Sequence, residues 1–268
     1  MPWADRLWFV TYVAHKKGTG AGTGLFSLNA DMNLVKHPAS VVGTYANRLI
    51  HSETNQLISG PHLIDCDGNV RTATELVDTR LTATARHLIE PERLVYMLGM
   101  EGELYELDVH SLHVTRLADL IEELAVVDDR AEGCQPHFKG MYSAHGRLVV
   151  ANNSYDRNDP SNGRLAEWDG RNWTIIHRAQ FNEITGRRTI GDAIFAAGAD
   201  NASAILKVFV ADGDNRGWDT YRLPKATHTQ DHTVTTEWPR IREVESERWM
   251  MDVAGIFYEL PAMQYAGK

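Results

Sequence analysis

The chain has 268 residues, enough to bury the core of one large domain or two small ones. Its net charge of −9 argues against a nucleic-acid partner or an anionic membrane surface, both of which need a cationic face. No apolar run approaches the about 18–20 residues that cross a bilayer, so membrane insertion is not expected.

Residues 1–6, Met1-Pro2-Trp3-Ala4-Asp5-Arg6, lack the charged-then-apolar pattern of a secretory leader. The default expectation is a cytoplasmic chain, unless the N-terminus was removed. Cys66 and Cys134 are the two cysteines, and they stand in different repeats. They make no disulfide framework, and two buried thiols are expected.

One pattern recurs along the chain: an apolar strand, a turn, and a second strand ending in a polar or acidic residue. In chain order the pairs are Arg6–Val10 with Gly24–Asn29, Gln56–Ile58 with His62–Asp65, and Arg93–Met97 with Glu103–Asp108. Then come Arg147–Val150 with Arg164–Asp169, Ala193–Ala196 with Ala204–Val208, and Arg248–Met251 with Gly255–Leu260. The second strands carry Leu25, Leu63, Leu104, Leu165, Ile205 and Ile256, spaced by 38, 41, 61, 40 and 51 residues. That brackets the roughly 40–50 residues of a four-stranded propeller blade, with two insertions. Apolar and polar residues alternate with period two.

A third strand follows most pairs, at Asn69–Ala73, His113–Leu117, Asn172–Ile176 and Trp218–Leu223. Turn signals precede them, as in Asp67-Gly68-Asn69 and Asp169-Gly170-Arg171-Asn172. Before every pair but the first lies a candidate innermost strand: Thr44–Leu49, Leu81–Leu88, Pro136–Gly140, Phe181–Thr185 and the stretch around Thr236-Glu237-Trp238.

A β-sandwich does not repeat one four-stranded unit six times in the same order, whereas radially stacked blades do. The expected fold is therefore all-β: a single β-propeller domain over 1–268 with approximate blades 1–40, 41–78, 79–130, 131–180, 181–230 and 231–268. One helix is expected over Leu117–Val126, where Leu117, Leu120, Ile121 and Leu124 share a face. The first unit reads as lacking an innermost strand and the last as lacking an outermost one. The expectation is an incomplete propeller, an arc of a longer ring.

The marker motifs of WD40, kelch and sialidase propellers do not occur. The segments Val42–Arg48, Gln135–Gly140, Gly163–Gly170 and Thr236–Glu245 resemble those of a family of uncharacterised bacterial proteins read as propellers. The resemblance runs across nearly the whole chain and implies the fold, with no assigned activity.

Propellers place ligands at the central channel, lined by innermost strands and the loops feeding them. Here those segments carry charge: Arg48 and His51, Arg86 and His87, His137 and Lys139, Arg187 and Arg188, then His228, Asp231, His232, Glu237, Arg240, Arg242, Glu243 and Glu245. A ring of His and Arg with a few carboxylates suits an anionic or polyhydroxylated ligand. Plain solvation of a wet channel accounts for the same residues.

His228-x-x-Asp231-His232 places three ligand-type side chains within five residues, which would suit a divalent metal, with His87 and His137 joining from neighbouring blades. No Cys pair or His-Glu-x-x-His frame accompanies it. Gly18–Gly24 lacks the Gly-Lys-Ser/Thr ending of a phosphate loop and reads as a hairpin loop.

Three functions stay open. The first is binding of a small polar or anionic ligand, carbohydrate included, by Arg48, His87, His137, Lys139, Arg188, Arg240 and Arg242. The second is a lyase or glycoside hydrolase using His232, Glu237 and His137, with His228 and His232 as metal ligands. The third is a protein-interaction scaffold.

Overall fold

The computed structural model describes residues 1–10, 24–38, 48–131, 134–154, 160–186, 193–200, 203–212, 215–224, 240–244, 247–251 and 257–259. They form two compact units, Met1–Asp119 and Leu120–Lys268.

Three four-stranded antiparallel sheets make up the first unit, each a simple meander in chain order. The first holds β1 (Pro2–Trp3), β2 (Arg6–Val10), β3 (Leu25–Asn29) and β4 (Leu34–Lys36). The second holds β5 (Arg48–His51), β6 (Gln56–Ser59), β7 (His62–Ile64) and β8 (Val70–Thr72). The third holds β9 (Leu81–Arg86), β10 (Leu94–Gly99), β11 (Glu103–Asp108) and β12 (Val114–Asp119).

The second unit opens on a short helix, α1 (Leu120–Glu123). Its fourth sheet holds β13 (Pro136–Ala144), β14 (Arg147–Ser154), β15 (Arg164–Trp168) and β16 (Trp173–His177). The fifth holds β17 (Gln180–Gly186), β18 (Ile194–Ala199), β19 (Ser203–Asp212) and β20 (Asn215–Pro224), and the sixth β21 (Arg240–Val244), β22 (Glu247–Met251) and β23 (Phe257–Glu259).

Cores lie between consecutive sheets of a unit. Trp8 and Leu25 meet Leu57 and Ile64, while Ile58 and Leu63, on the opposite face of the second sheet, pack with Leu81, Val95, Met97 and Leu107. In the second unit Val149, Ala151 and Leu165 pack with Phe181, Ile194, Ile205 and Phe209. Middle strands are therefore covered on both faces: all six residues of β10, Leu-Val-Tyr-Met-Leu-Gly, are buried. Such strands read as continuous apolar runs, which replaces the expected alternation at these positions.

The acidic or amide residue that closes each second middle strand caps the next turn. Asp65 Oδ1 accepts from the amides of Asp67 and Asn69 at 2.9 and 2.8 Å. Asp169 Oδ1 accepts from Arg171 and Asn172 at 2.8 and 2.7 Å, and Asp108 Oδ1 from His110 and Ser111 at 2.9 Å each. Asn29 Oδ1 does the same for Asn33 at 2.8 Å. The repeating acid is thus turn chemistry.

Several expectations are corrected. The first sheet has its first strand, because Pro2 and Trp3 pair with Leu7 and Arg6. The helix shrinks to Leu120–Glu123, since Ala118 and Asp119 pair with Leu104 and Glu103 and leave Leu117 at a bulge, 37% exposed. The strand expected from Trp218 starts at Asn215. Cys66 is exposed, while Cys134 is buried, and both are free thiols.

Candidate functional site

Each sheet has two ends: one where its first strand turns into its second, and one where the first strand begins and the two middle strands are joined. Charged and imidazole side chains at the two ends behave differently.

At the first end of the second and third sheets, polar groups bond sheet to sheet. His51 is fully buried; its Nε2 meets the Pro91 carbonyl at 2.6 Å and its Nδ1 the Thr54 hydroxyl at 2.7 Å. A carbonyl only accepts, so Nε2 carries the proton and Nδ1 accepts from Thr54. Gln56 donates to that hydroxyl at 2.8 Å and accepts from Arg71 at 2.8 Å, and Arg71 also donates to the Val109 and His110 carbonyls. A directed relay therefore runs from the Arg71 guanidinium to the Pro91 carbonyl. Burial holds the His51 pKa down, against the opposing pull of the Pro91 carbonyl and Glu53.

Arg86 and His87 belong to the same end. Arg86 donates to Glu53 and to the Ile50 carbonyl, each at 2.8 Å. His87 Nδ1 accepts from the Glu90 amide at 2.9 Å, Nε2 lies 3.1 Å from Glu106, and the ring leans on Tyr96. Burial lowers its pKa, against Glu106 and Glu90, which raise it. His87 Nδ1 thus holds the turn to Glu90, and Nε2 is engaged with Glu106 on β11.

At the other end of the second sheet a polar row crosses all four strands: Arg48 opposite Ser59, Ser59 opposite His62, His62 opposite Thr72. Directly opposed residues share a face. This face is shared with Leu57 and Ile64, two residues from Ser59 and His62, and so looks toward the first sheet. Gly60, with φ of 57°, and Pro61 form the joining turn. A positive φ followed by the fixed negative φ of proline is a type II′ turn, which sets the Ser59–His62 register.

Arg48 is exposed, whereas Ser59 and His62 are 1% and 0% exposed. His62 Nδ1 lies 3.1 Å from the Thr72 hydroxyl. His62 Nε2 and Ser59 Oγ are buried without a hydrogen-bond partner among the described residues. Burial, with a smaller push from His37, takes the His62 pKa down to about 4. His37 itself stacks on Trp8 at 4.8 Å and meets Ser27 Oγ at 3.3 Å.

In the second unit the same end holds His137, buried opposite Asn153, and Asn152, fully buried between Phe138 and Arg164 on the ladder. Both amide atoms of Asn152 lack a hydrogen-bond partner among the described residues. Lys139 is the extra residue at the bulge between Phe138 and Gly140. Arg164 is buried, and its guanidinium donates to the carbonyls of Leu124 at 3.1 Å, Ala125 at 2.8 Å and Gly163 at 2.9 Å. Asn162 accepts from the Val127 amide at 2.8 Å and donates to its carbonyl at 2.9 Å. Together they latch the segment after α1 onto the entry to β15.

Sequence reasoning missed Ser59, His62, Asn152, Asn153 and Arg164. The available signal was a polar residue interrupting an apolar strand, as His62 does before Leu63-Ile64 and Asn152-Asn153 do after Leu148–Ala151. Arg188, His228, His232 and Glu237 lie outside the described residues. Arg240 and Arg242 occupy alternate positions of β21, opposite Met251 and Trp249. Among the described residues no three His, Cys, Asp or Glu side chains gather closely enough to hold a metal ion, and no helix is long and apolar enough to cross a membrane.

Among the described residues five four-stranded antiparallel meanders and one of three strands follow one another along the chain. The fold is a β-propeller. No family model and no curated protein matches the chain. Solved structures similar to it include Saccharomyces cerevisiae Sqt1, at 10% identity and a TM-score of 0.51, covering 96% of this chain and 69% of that one. The β-propeller domain of Myceliophteria thermophila Cps50 (Swd1) is 10% identical with a TM-score of 0.45, covering 94% and 89%. A Bacteroides thetaiotaomicron protein of unknown function is 11% identical with a TM-score of 0.47, covering 91% and 70%. At these identities the likeness concerns fold alone.

Proposed function

We propose that this propeller is a binding module for a small polar or anionic ligand, carbohydrates included, taken at the sheet ends where the first strands begin. One observation carries the reading. Ser59 Oγ, His62 Nε2, Glu103 Oε2 and both Asn152 amide atoms are buried and lack a hydrogen-bond partner among the described residues, and all belong to that end; at the other end Arg147 Nε is also unmet, but its guanidinium donates to Glu167 through Nη1 and lies over the Phe209 ring. Buried polar groups are otherwise paired, because an unmet one costs about 1–3 kcal/mol. At the opposite end His51, Gln56, Arg71, Arg86 and His87 are engaged with neighbouring strands and turns. Arg48 at that end of the second sheet and His137 and Lys139 at that end of the fourth supply cationic or imidazole groups, Arg240 and Arg242 lie on β21, and Arg188 lies outside the described residues. The segments that resemble uncharacterised bacterial propeller proteins support placing the chain among them.

The test is a thermal-shift panel of neutral sugars, sugar acids and phosphorylated sugars. At least one compound is expected to raise Tm, and Arg48→Ala with His137→Ala to abolish the shift. A panel without a hit, or variants that respond as the wild type, overturns the reading.

A second reading, an interaction scaffold, draws on one feature. The outer strand β4 presents Leu34 and Val35 at 59% and 46% exposure, beside Met32 at 73%. Leu34→Lys would then weaken capture of a protein partner without changing the thermal-shift panel.

A further inference from the structure

We propose that the row Arg48–Ser59–His62, on the face of the second sheet turned toward the first, binds an oxyanion of the phosphate type. The inference rests on the ligand-binding reading above and narrows it at this sheet to one chemical class.

Register places the three side chains next to one another on one face, with Arg48 at the exposed edge and Ser59 and His62 inside. Arg48 is the exposed member of the row, and Ser59 Oγ and His62 Nε2 are buried and without a hydrogen-bond partner among the described residues. When the Thr72 hydroxyl donates to Nδ1, Nε2 becomes an N–H donor. Guanidinium, hydroxyl and imidazole N–H then offer donors from three side chains, of which only the hydroxyl can also accept. Oxygen atoms that only accept satisfy such a set, and a guanidinium supplies the bidentate, charge-assisted part.

The surrounding charge has the same sign. Besides burial, the charged group that lowers the His62 pKa is His37, and the one that lowers the His37 pKa is Arg6. No carboxylate contributes to either shift. Among the described residues the row offers a metal cation no anionic ligand, and its one charged member, the Arg48 guanidinium, only donates and so favours an anion over a neutral sugar. A tetrahedral oxyanion can meet all three groups and is favoured by the positive charge of Arg48.

The same chemistry could come from free phosphate or from the phosphoryl group of a metabolite, so the experiment uses both. Protein carrying ¹⁵N-histidine is titrated with inorganic phosphate and, separately, with glucose 6-phosphate, following the His62 ring resonances. A saturable shift at His62 with either probe is expected. Arg48→Ala, at an exposed position, should weaken it about tenfold or more, and Ser59→Ala should weaken it several-fold with the fold intact by circular dichroism. Response to phosphate identifies the free anion, and response to the sugar phosphate alone identifies a phosphorylated metabolite.

No saturable shift at His62 with either probe overturns the proposal, as does an affinity unchanged by Arg48→Ala. If the panel finds a ligand that depends on His137 while His62 stays silent, this inference falls and the broader reading stands. If both are silent, both fall.

Discussion

His51 and His62 are both fully buried imidazoles of one sheet, and their partners set their behaviour. His51 is the middle of a relay whose every donor has an acceptor. Replacing it with leucine strands the Pro91 carbonyl and breaks the Thr54 link, so His51→Leu should lower stability by about 2–3 kcal/mol in urea unfolding. An unchanged midpoint would show the relay to be idle. His62 has one partnered nitrogen and a pKa taken from the ordinary 6.5 to about 4 by burial. Its folded-state pKa lies below the unfolded one, so the unfolded chain binds the proton more readily between these values. Stability from this group is complete above about pH 6.5 and falls as the pH drops toward 4, by about 3 kcal/mol in all. The difference between wild type and His62→Gln should therefore shrink or reverse on acidification from pH 7.5 to 4.5, and a pH-independent difference would refute the assignment. Neither role was legible in the sequence. Pro91 lies 40 residues from His51, and a histidine's residue type does not reveal whether it meets a carbonyl or nothing.

Elements were more legible than residues because their signals are local. The paired apolar runs located the middle strands of the five four-stranded sheets, and the acidic strand ends marked turns such as Asp65–Asn69 and Asp169–Asn172. What failed was competition between elements. Leu117, Leu120, Ile121 and Leu124 have helical spacing, but Ala118 and Asp119 are claimed by the ladder with β11, so only Leu120–Glu123 remains helical. A helix of four residues cannot sustain itself. Arg164 and Asn162 hold its C-terminal side from 35 to 40 residues away. Arg164→Met removes donors from the carbonyls of Leu124 and Ala125. Hydrogen exchange over 120–127 should then accelerate while the strands of the fourth sheet keep their protection; uniform loosening of the sheet would show that the latch is not local. Gly163 beside it has a packing reason of its own, since a Cβ there would stand 2.1 Å from the Ala179 carbonyl oxygen. Gly163→Ala should cost about 1–3 kcal/mol in thermal unfolding through forced backbone movement.

Across the molecule the asymmetry of the sheet ends has an energetic consequence that separates binding from folding. A buried polar group that meets its partner stabilises the fold, whereas one left unmet destabilises it and is retained where something else needs it. Ser59 and Asn152 are of the second kind, and Arg71 and His51 of the first. Ser59→Ala and Asn152→Leu should then leave Tm unchanged or raise it, by up to about 1 kcal/mol of stability, because each removes an unmet polar group at little cost in volume. Arg71→Met, which deprives Gln56 and the Val109 and His110 carbonyls of their donor, should lower Tm. Ligand response should sort the opposite way, weakened several-fold in Ser59→Ala and kept in Arg71→Met at temperatures where that variant is folded. If Ser59→Ala and Asn152→Leu destabilise as Arg71→Met does, these groups serve the fold after all, and the ligand end has no physical distinction from the other.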